Sequence, residues 1–231
     1  VMAGAPCPLE LMHKVIDKLN MSEITIMYGQ TETSPVNHMT DIDAPAEKRC
    51  GTVGRVGPYQ EIKIIDEAGR VVPIGDKGDL CCRGYSVMRG YWNDEERTRE
   101  TIDQAGWLHS GDLAEMDAEG YVQIVGRIKD MIIRGGENIY PREVEEFLYT
   151  HPDIQEVQVF GIPDEKYGET VCAWVQLRQG AELDEAGVQD YCRDQITHFK
   201  VPRQIRFVDT FPMTVTGKIQ KFKMRDAMLE A

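Results

Sequence analysis

The sequence predicts a mixed α/β and α+β fold in two parts: an α/β piece with a small β-barrel-like subdomain over residues 1–128, then a small α+β domain over 129–231. Three observations predict it. A segment of helical period lies between two short strand-like runs near the start; alternating segments separated by Gly- and Asp-containing turns fill the middle; and after Gly126-Arg127 short strands mix with helices.

In order along the chain, Val1-Met2-Ala3-Gly4-Ala5-Pro6 reads as the tail of a strand entering a loop. A helix from about Pro8 to Asn20 follows, and Ile24 to Met27 reads as a strand. From Gly51 to Gly126 the segments Glu61–Asp66, Asp79–Arg83, Leu108–Met116 and Tyr121–Val125 alternate apolar and polar residues, separated by Glu67-Ala68-Gly69, Gly75-Asp76-Lys77-Gly78 and Asp117-Ala118-Glu119-Gly120. That rhythm predicts a small antiparallel sheet or barrel. In the last part, Pro141 to Thr150 carries Val144, Phe147 and Leu148 on one face, and Asp184 caps a helix with Val188, Tyr191 and Cys192 on its apolar side. Val157–Gly161 and Val171–Leu177 read as strands, and the boundary between the parts falls near Lys129.

Composition narrows the function. A formal charge of -13 lacks the basic surface with which proteins neutralise nucleic-acid phosphates, so no nucleic acid is expected as a partner. No run approaches the roughly 18 apolar residues of a membrane span, and no signal peptide is evident, so a cytoplasmic address and no integral membrane segment are expected. Cys7, Cys50, Cys81, Cys82, Cys172 and Cys192 form no CxxC pair and have no clustered histidines beside them, so they read as reduced and mostly buried. Positive charge gathers late, in Lys200, Arg203, Arg206, Lys218, Lys221, Lys223 and Arg225, as an anion site or a solvated helix face.

Four segments carry candidate chemistry. Tyr28-Gly29-Gln30-Thr31-Glu32 follows a strand directly: it is an ordinary turn, or Thr31 meets a phosphate oxygen while Glu32 holds Mg²⁺ and Tyr28 offers its face to a base. In Trp107-Leu108-His109-Ser110-Gly111-Asp112 the carboxylate after glycine suits the vicinal hydroxyls of a ribose, or is an exposed acid on a bulge; His109 reads as a satisfied structural histidine. The stretch from Gly126 to Pro141 holds charged pairs around a short apolar strand and the double glycine Gly135-Gly136, which permits either close backbone approach to a ligand or a tight turn. Last, Pro212 to Lys218 sets one lysine on a glycine-containing loop, as a phosphate contact or a surface lysine.

In this order and spacing the segments resemble the adenylate-forming (AMP-binding) superfamily of acyl-CoA synthetases, luciferases and nonribosomal adenylation domains. Within it, YGQTETSPV, RGYSVMRGYW, GRIKDMIIRGGENIYPREVEE and HFKVPRQIRFV…TGKIQK are most similar to medium-chain or broad-range fatty acyl-CoA ligases. The resemblance spans essentially the whole chain, as the end of the large domain (1–128) followed by the small mobile domain (129–231). It implies an AMP-forming acid–thiol ligase with ATP, Mg²⁺ and CoA as cofactor and co-substrates and a fatty or other carboxylic acid as substrate. By the same resemblance Gly4, Ala5 and Pro6 form the adenine turn, with Tyr28 and Gly29 beside it. Thr31 touches phosphate, Glu32 holds Mg²⁺, and Asp112 and Arg127 bind ribose. Lys218 bridges carboxylate and α-phosphate, Lys129 is the hinge, and Gly135-Gly136 walls the pantetheine path.

One departure shapes the expectation. Family members carry upstream of the YGQTE-like loop a Ser/Thr/Gly-rich phosphate loop, and nothing in this sequence fits it. The chain is therefore expected to lack the N-terminal part of the enzyme and to be inactive alone. A nonribosomal adenylation domain and a non-catalytic nucleotide-binding fragment are the competing readings.

Overall fold

The computed structural model describes residues 1–4, 7, 9–215 and 217–230. It divides into two compact units, Val1–Ile128 and Lys129–Ala231. No helix among the described residues is long and apolar enough to cross a membrane.

In the first unit β1 (Met2–Ala3) leads to α1 (Leu9–Leu19) and β2 (Ile26–Tyr28), with β1 parallel to β2. Met12, Val15 and Ile16 recur at helical spacing on α1, and Met12 is fully buried with Cys7, Ile24 and Ile26. A 3₁₀ turn (Thr31–Thr33) then precedes β3 (His38–Met39), α2 (Ala46–Gly51) and β4 (Arg55–Val56), giving a four-stranded sheet in the order β1-β2-β3-β4. Arg49 of α2 is buried and donates to the carbonyls of Ser22 and Ile24 (3.1 and 2.7 Å), which fixes the approach to β2.

The alternating middle of the sequence folds as β5 (Gln60–Ile65), β6 (Gly78–Gly84), α3 (Glu95–Thr101), β7 (Leu108–Met116) and β8 (Val122–Arg127). These four strands are antiparallel in the order β5-β6-β7-β8. Of sheet and barrel, the sheet is what forms: the outer edge of β8 is taken by Val53 and Gly54, through Val53 N to Val122 O (2.7 Å) and Val122 N to Gly54 O (2.9 Å), so it does not close on β5. Aspartates make the turns and caps. Asp117 accepts from the amides of Glu119 and Tyr121 (both 2.9 Å), and Asp94 caps α3 through the Arg97 amide (3.0 Å).

The second unit opens with a 3₁₀ turn (Ile128–Asp130 spans the junction) and the hairpin β9 (Ile132–Arg134) and β10 (Glu137–Ile139). Then come α4 (Pro141–Leu148), β11 (Ile154–Asp164), β12 (Gly168–Leu177), α5 (Glu185–Cys192), β13 (Gln204–Phe207) and α6 (Lys221–Leu229). Strand β12 is central, pairing with β11, β13 and β9. Its alternation fills two cores: Val171, Ala173 and Val175 face Val144, Leu148, Val188 and Cys192 of α4 and α5, while Cys172 and Trp174 face Phe211 and Met224. Burial on both faces explains why Val171–Val175 reads as an unbroken apolar run.

Helix α6 corrects the solvated-face reading of the late basic residues. It buries Met224 completely, and its Lys221 ammonium lies half-buried against Glu145 Oε1 (2.7 Å) and the Val159 carbonyl (2.8 Å). Lys200 pairs with Glu143 at 2.5 Å and Arg225 with Glu169 at 3.7 Å, so much of the cluster is neutralised internally.

Candidate active site

The loop after β2 is shaped by a close approach. A Cβ on Gly29 would stand 2.1 Å from the Pro35 carbonyl oxygen, so only glycine fits. The next turn is locked by Gln30 and Thr33: the Gln30 amide donates to Thr33 Oγ1 (2.9 Å), and the buried Thr33 hydroxyl donates to the Gln30 carbonyl (3.0 Å). Thr31 is thereby left exposed at the turn's start, with Glu32 partly buried beside it.

Strand β7 brings the candidate ribose acid to the same place. Asp112 is only 4% exposed; Oδ2 accepts from the Tyr28 hydroxyl (2.5 Å) and from Gln30 Nε2 (3.0 Å), while Oδ1 lies 3.2 Å from Arg127 Nε across the β7–β8 ladder. Gln30 Nε2 also donates to the Ser110 carbonyl (2.9 Å). Burial, and then the negative charge of Asp112, raise the Tyr28 phenol above its ordinary pKa, so it remains a donor. Beneath Tyr28 lies the fully buried His38, edge-on at 5.7 Å; its Nδ1 is 3.0 Å from Asn37 Oδ1, and its Nε2 has no hydrogen-bond partner among the described residues. Burial lowers its pKa from 6.5 to about 4, which keeps the ring neutral.

Glu32 has partners of its own. Its Oε1 accepts from the Tyr91 hydroxyl (2.7 Å) and its backbone carbonyl from Met88 N (2.8 Å). With the Thr31 hydroxyl adjacent, the donors here are all oxygen, a set that fits hard Mg²⁺. Gly4 follows β1 with a φ of 89°, beside the end of β2; Ala5 and Pro6 lie outside the described residues.

The remaining candidates are in the second unit. Lys129 is exposed in the turn that starts it. Gly135 and Gly136 are the two loop residues of the β9–β10 hairpin, with φ of 61° and 88°; two consecutive positive φ values are what a tight turn between twisted strands demands. The Gly135 amide also donates to the Tyr167 carbonyl (2.8 Å), and the neighbouring Arg134 lies over the Tyr167 ring at 4.2 Å. Lys218 stands exposed on a loop closed by Thr214 N to Lys218 O (2.8 Å), Lys218 N to Thr214 Oγ1 (3.0 Å) and a bridge between Met213 and Ile219.

Residues 1–92 match the AMP-binding enzyme family, and residues 143–218 match the AMP-binding enzyme C-terminal domain. The chain belongs to the AMP-binding enzyme family. The chain is 48% identical over 229 residues to the mitochondrial medium-chain acyl-CoA ligase ACSF2 of Bos taurus, aligning 99% of itself with 37% of that protein. It is 49% identical to the Danio rerio protein of the same name, over 98% of the chain and 38% of the relative. Among solved structures of this family's fold, ATP-bound MatB from Rhodopseudomonas palustris superposes with a TM-score of 0.90 at 34% identity, over 97% of this chain and 44% of that one. The o-succinylbenzoate CoA synthetase MenE of Bacillus subtilis, in complex with its acyl-adenylate intermediate, gives 0.84 at 30% identity, over 99% and 45%. The chain thus spans under half the length of these AMP-binding enzymes.

Gln30, Ser110, Tyr91 and His38 were not singled out in the sequence. Gln30 lies within YGQTE, but what its amide reaches is 80 residues away. Tyr91 lies within RGYSVMRGYW, but its partner Glu32 is 59 residues away; His38 has no local signal.

Proposed function

We propose that this chain serves ATP-dependent activation of a carboxylic acid, in the class of medium-chain fatty acids, to an acyl-adenylate and its transfer to CoA. The observation that carries the reading is the buried Asp112 carboxylate, with Tyr28 and Gln30 on one oxygen and Arg127 near the other. Two donors occupy Oδ2, and Oδ1 keeps acceptor capacity for a ribose hydroxyl. In the first step a carboxylate oxygen of the acid attacks the α-phosphorus and pyrophosphate leaves. In the second the CoA thiol attacks the acyl carbon and AMP leaves.

In this reading Gly4, Ala5, Pro6, Tyr28 and Gly29 flank adenine, Asp112 and Arg127 hold ribose, and Thr31 donates to phosphate. Glu32, oriented by Tyr91, holds Mg²⁺, which when bound neutralises phosphate charge. Lys218 supplies positive charge to the α-phosphate during adenylation, where stabilising developing charge is the main demand. Gly135-Gly136 gives the pantetheine thiol a path free of side chains, and Lys129 is the hinge. The relatives' names support the acyl-CoA ligase assignment and the substrate class. The cytoplasmic address remains part of the proposal, although the vertebrate relatives are mitochondrial by name.

Calorimetry of the chain with AMP tests the nucleotide site: saturable heat that Asp112→Ala removes supports it, and absence of heat counts against it. The chain alone is expected to give no carboxylate-dependent exchange of pyrophosphate into ATP. When it is joined to the N-terminal part of such a ligase, Lys218→Ala is expected to block adenylation while sparing thioester formation from supplied acyl-adenylate. Equal loss of both steps would remove the role given to Lys218.

A further inference from the structure

A second cluster, separate in its donors from the nucleotide residues, lies on the β6–β7 ladder. Cys81 and His109 are directly opposite each other, and Asp79, two residues before Cys81, is brought level by an irregularity in the register between Asp79 and Cys81. His109 Nδ1 is 2.8 Å from Asp79 Oδ2 and 3.5 Å from Cys81 Sγ, and Cys81 Sγ is 3.8 Å from Asp79 Oδ2. We infer that Asp79, Cys81 and His109 form a binding site for a borderline divalent transition ion of the Zn²⁺ or Co²⁺ type.

Three features support the assignment. First, the donors are a thiol, an imidazole and a carboxylate, the mixture that such ions select over Mg²⁺. Second, the triangle has the right size. Bonds of about 2.3 Å to sulfur and about 2.0–2.1 Å to nitrogen and oxygen, at tetrahedral angles, put S···N and S···O edges near ~3.5 Å and the N···O edge near ~3.3 Å. Two edges are therefore within a few tenths of an ångström, and only the N···O edge must open, because a shared proton now draws those atoms together. Third, groups suited to be outer partners stand beside two of the donors. Asp103 Oδ2 stands 3.9 Å from His109 Nε2, on the ring nitrogen that points away from the ion, and Asp79 Oδ1 accepts from Gly111 N at 3.3 Å. An outer carboxylate on a ligating histidine orients the ring and increases its basicity.

Access and charge agree with this placement. Side-chain exposure of 33% at His109, 17% at Asp79 and 35% at Asp103 leaves an opening, while Cys81 is fully buried at the floor. Lys63, opposite Cys81 on β5, and Arg83, two residues beyond Cys81 on β6, both lie over the Trp107 ring at 4.5 Å, and Arg83 is paired with Glu61 at 2.6 Å. With Arg83 offset by Glu61, the thiolate and the two carboxylates of Asp79 and Asp103 outweigh the Lys63 charge when the ion is bound. Three protein ligands leave a fourth position for water, and the ion would tie β6 to β7 immediately before Ser110-Gly111-Asp112. A plain Asp79–His109 contact accounts for the 2.8 Å distance, and the strand register accounts for Cys81 standing opposite His109; the metal reading rests on all three donor types meeting at the one ring nitrogen.

The test is a titration of the reduced, metal-free chain with Co²⁺ without oxygen. One equivalent should produce a thiolate-to-cobalt charge-transfer band with tetrahedral d–d bands, which equimolar Zn²⁺ bleaches. Cys81→Ser should abolish the charge-transfer band, and Asp103→Asn should weaken Co²⁺ about 10-fold to 100-fold as an outer partner. His109→Gln should weaken it by more than about 100-fold, beyond that outer-partner range. Should Cys81→Ser not fold by circular dichroism, His109→Gln decides. No thiolate band in the unmodified chain, or a band undiminished in either ligand variant, overturns the assignment.

Discussion

Asp112 is 4% exposed and already engaged by Tyr28 and Gln30, whereas Lys218 stands exposed on a short loop, its ammonium without a partner among the described residues. The first arrangement is paid for during folding: the buried acceptor and its partly buried donors satisfy one another before any ligand arrives. The second costs the fold almost nothing, because the ammonium remains in water. A proposed binding group that must be aimed is thus embedded, and a proposed electrostatic group that acts in one step is left solvated. The difference teaches that loss of function has two physical forms in this chain, one inseparable from stability and one independent of it.

Removing the acid should therefore break the fold as well as the site. Asp112→Ala orphans the Tyr28 hydroxyl, at about 1–3 kcal/mol, and removes one of the two acceptors of Gln30 Nε2, which keeps the Ser110 carbonyl. The first unit should therefore lose about 3 kcal/mol in urea unfolding followed by Trp107 fluorescence. Loss of AMP binding with full stability would contradict this account of the clamp.

Acid should act on the same region through His38. Its folded pKa of about 4 lies below the ordinary 6.5, so the unfolded chain takes up the proton first. Stability is complete above pH 6.5 and declines as pH falls towards 4, by about 3 kcal/mol at the end of that window. In His38→Phe, which fills similar space without titrating, this part of the decline should disappear from urea midpoints measured across the window.

The second unit should respond less. Gly136→Val forces a β-branched residue to a φ of 88°, costing about 1–2 kcal/mol by thermal melts. The hairpin's pairing partners should nonetheless keep their hydrogen-exchange protection. Smallest of all, Lys218→Ala should change stability by no more than about 0.5 kcal/mol. A larger loss would mean that the loop depends on the lysine, and the contrast with Asp112 would fail.

Much of this was legible from local pattern. Helices α1, α4 and α5 and strands β5 to β8, β11 and β12 follow from apolar period and from Asp and Gly turns, within a residue or a few at their ends. The Asp184 cap is as expected, its side chain accepting from Gly187 N at 2.8 Å. Short strands such as β3, β4 and β13 escaped notice because two to four residues carry no measurable period. Helix α6 was obscured by its lysines: Lys221 finds its partners Glu145 and Val159 more than 60 residues earlier. The cysteines have no clustered histidines beside them in sequence, yet Cys81 and His109, 28 residues apart, are opposite each other on one ladder.

By itself the sequence determined the longer periodic elements, the Asp and Gly turns and the kinship with AMP-binding enzymes, because period, capping and motif order are properties of neighbouring residues. Tertiary structure alone decided which acid is buried, that Gln30 and Tyr28 meet Asp112, that Tyr91 reaches Glu32, and that Asp79, Cys81 and His109 converge. Those are contacts across sheet registers and between segments far apart in the chain. Strand pairing sets them, and no local pattern encodes its register.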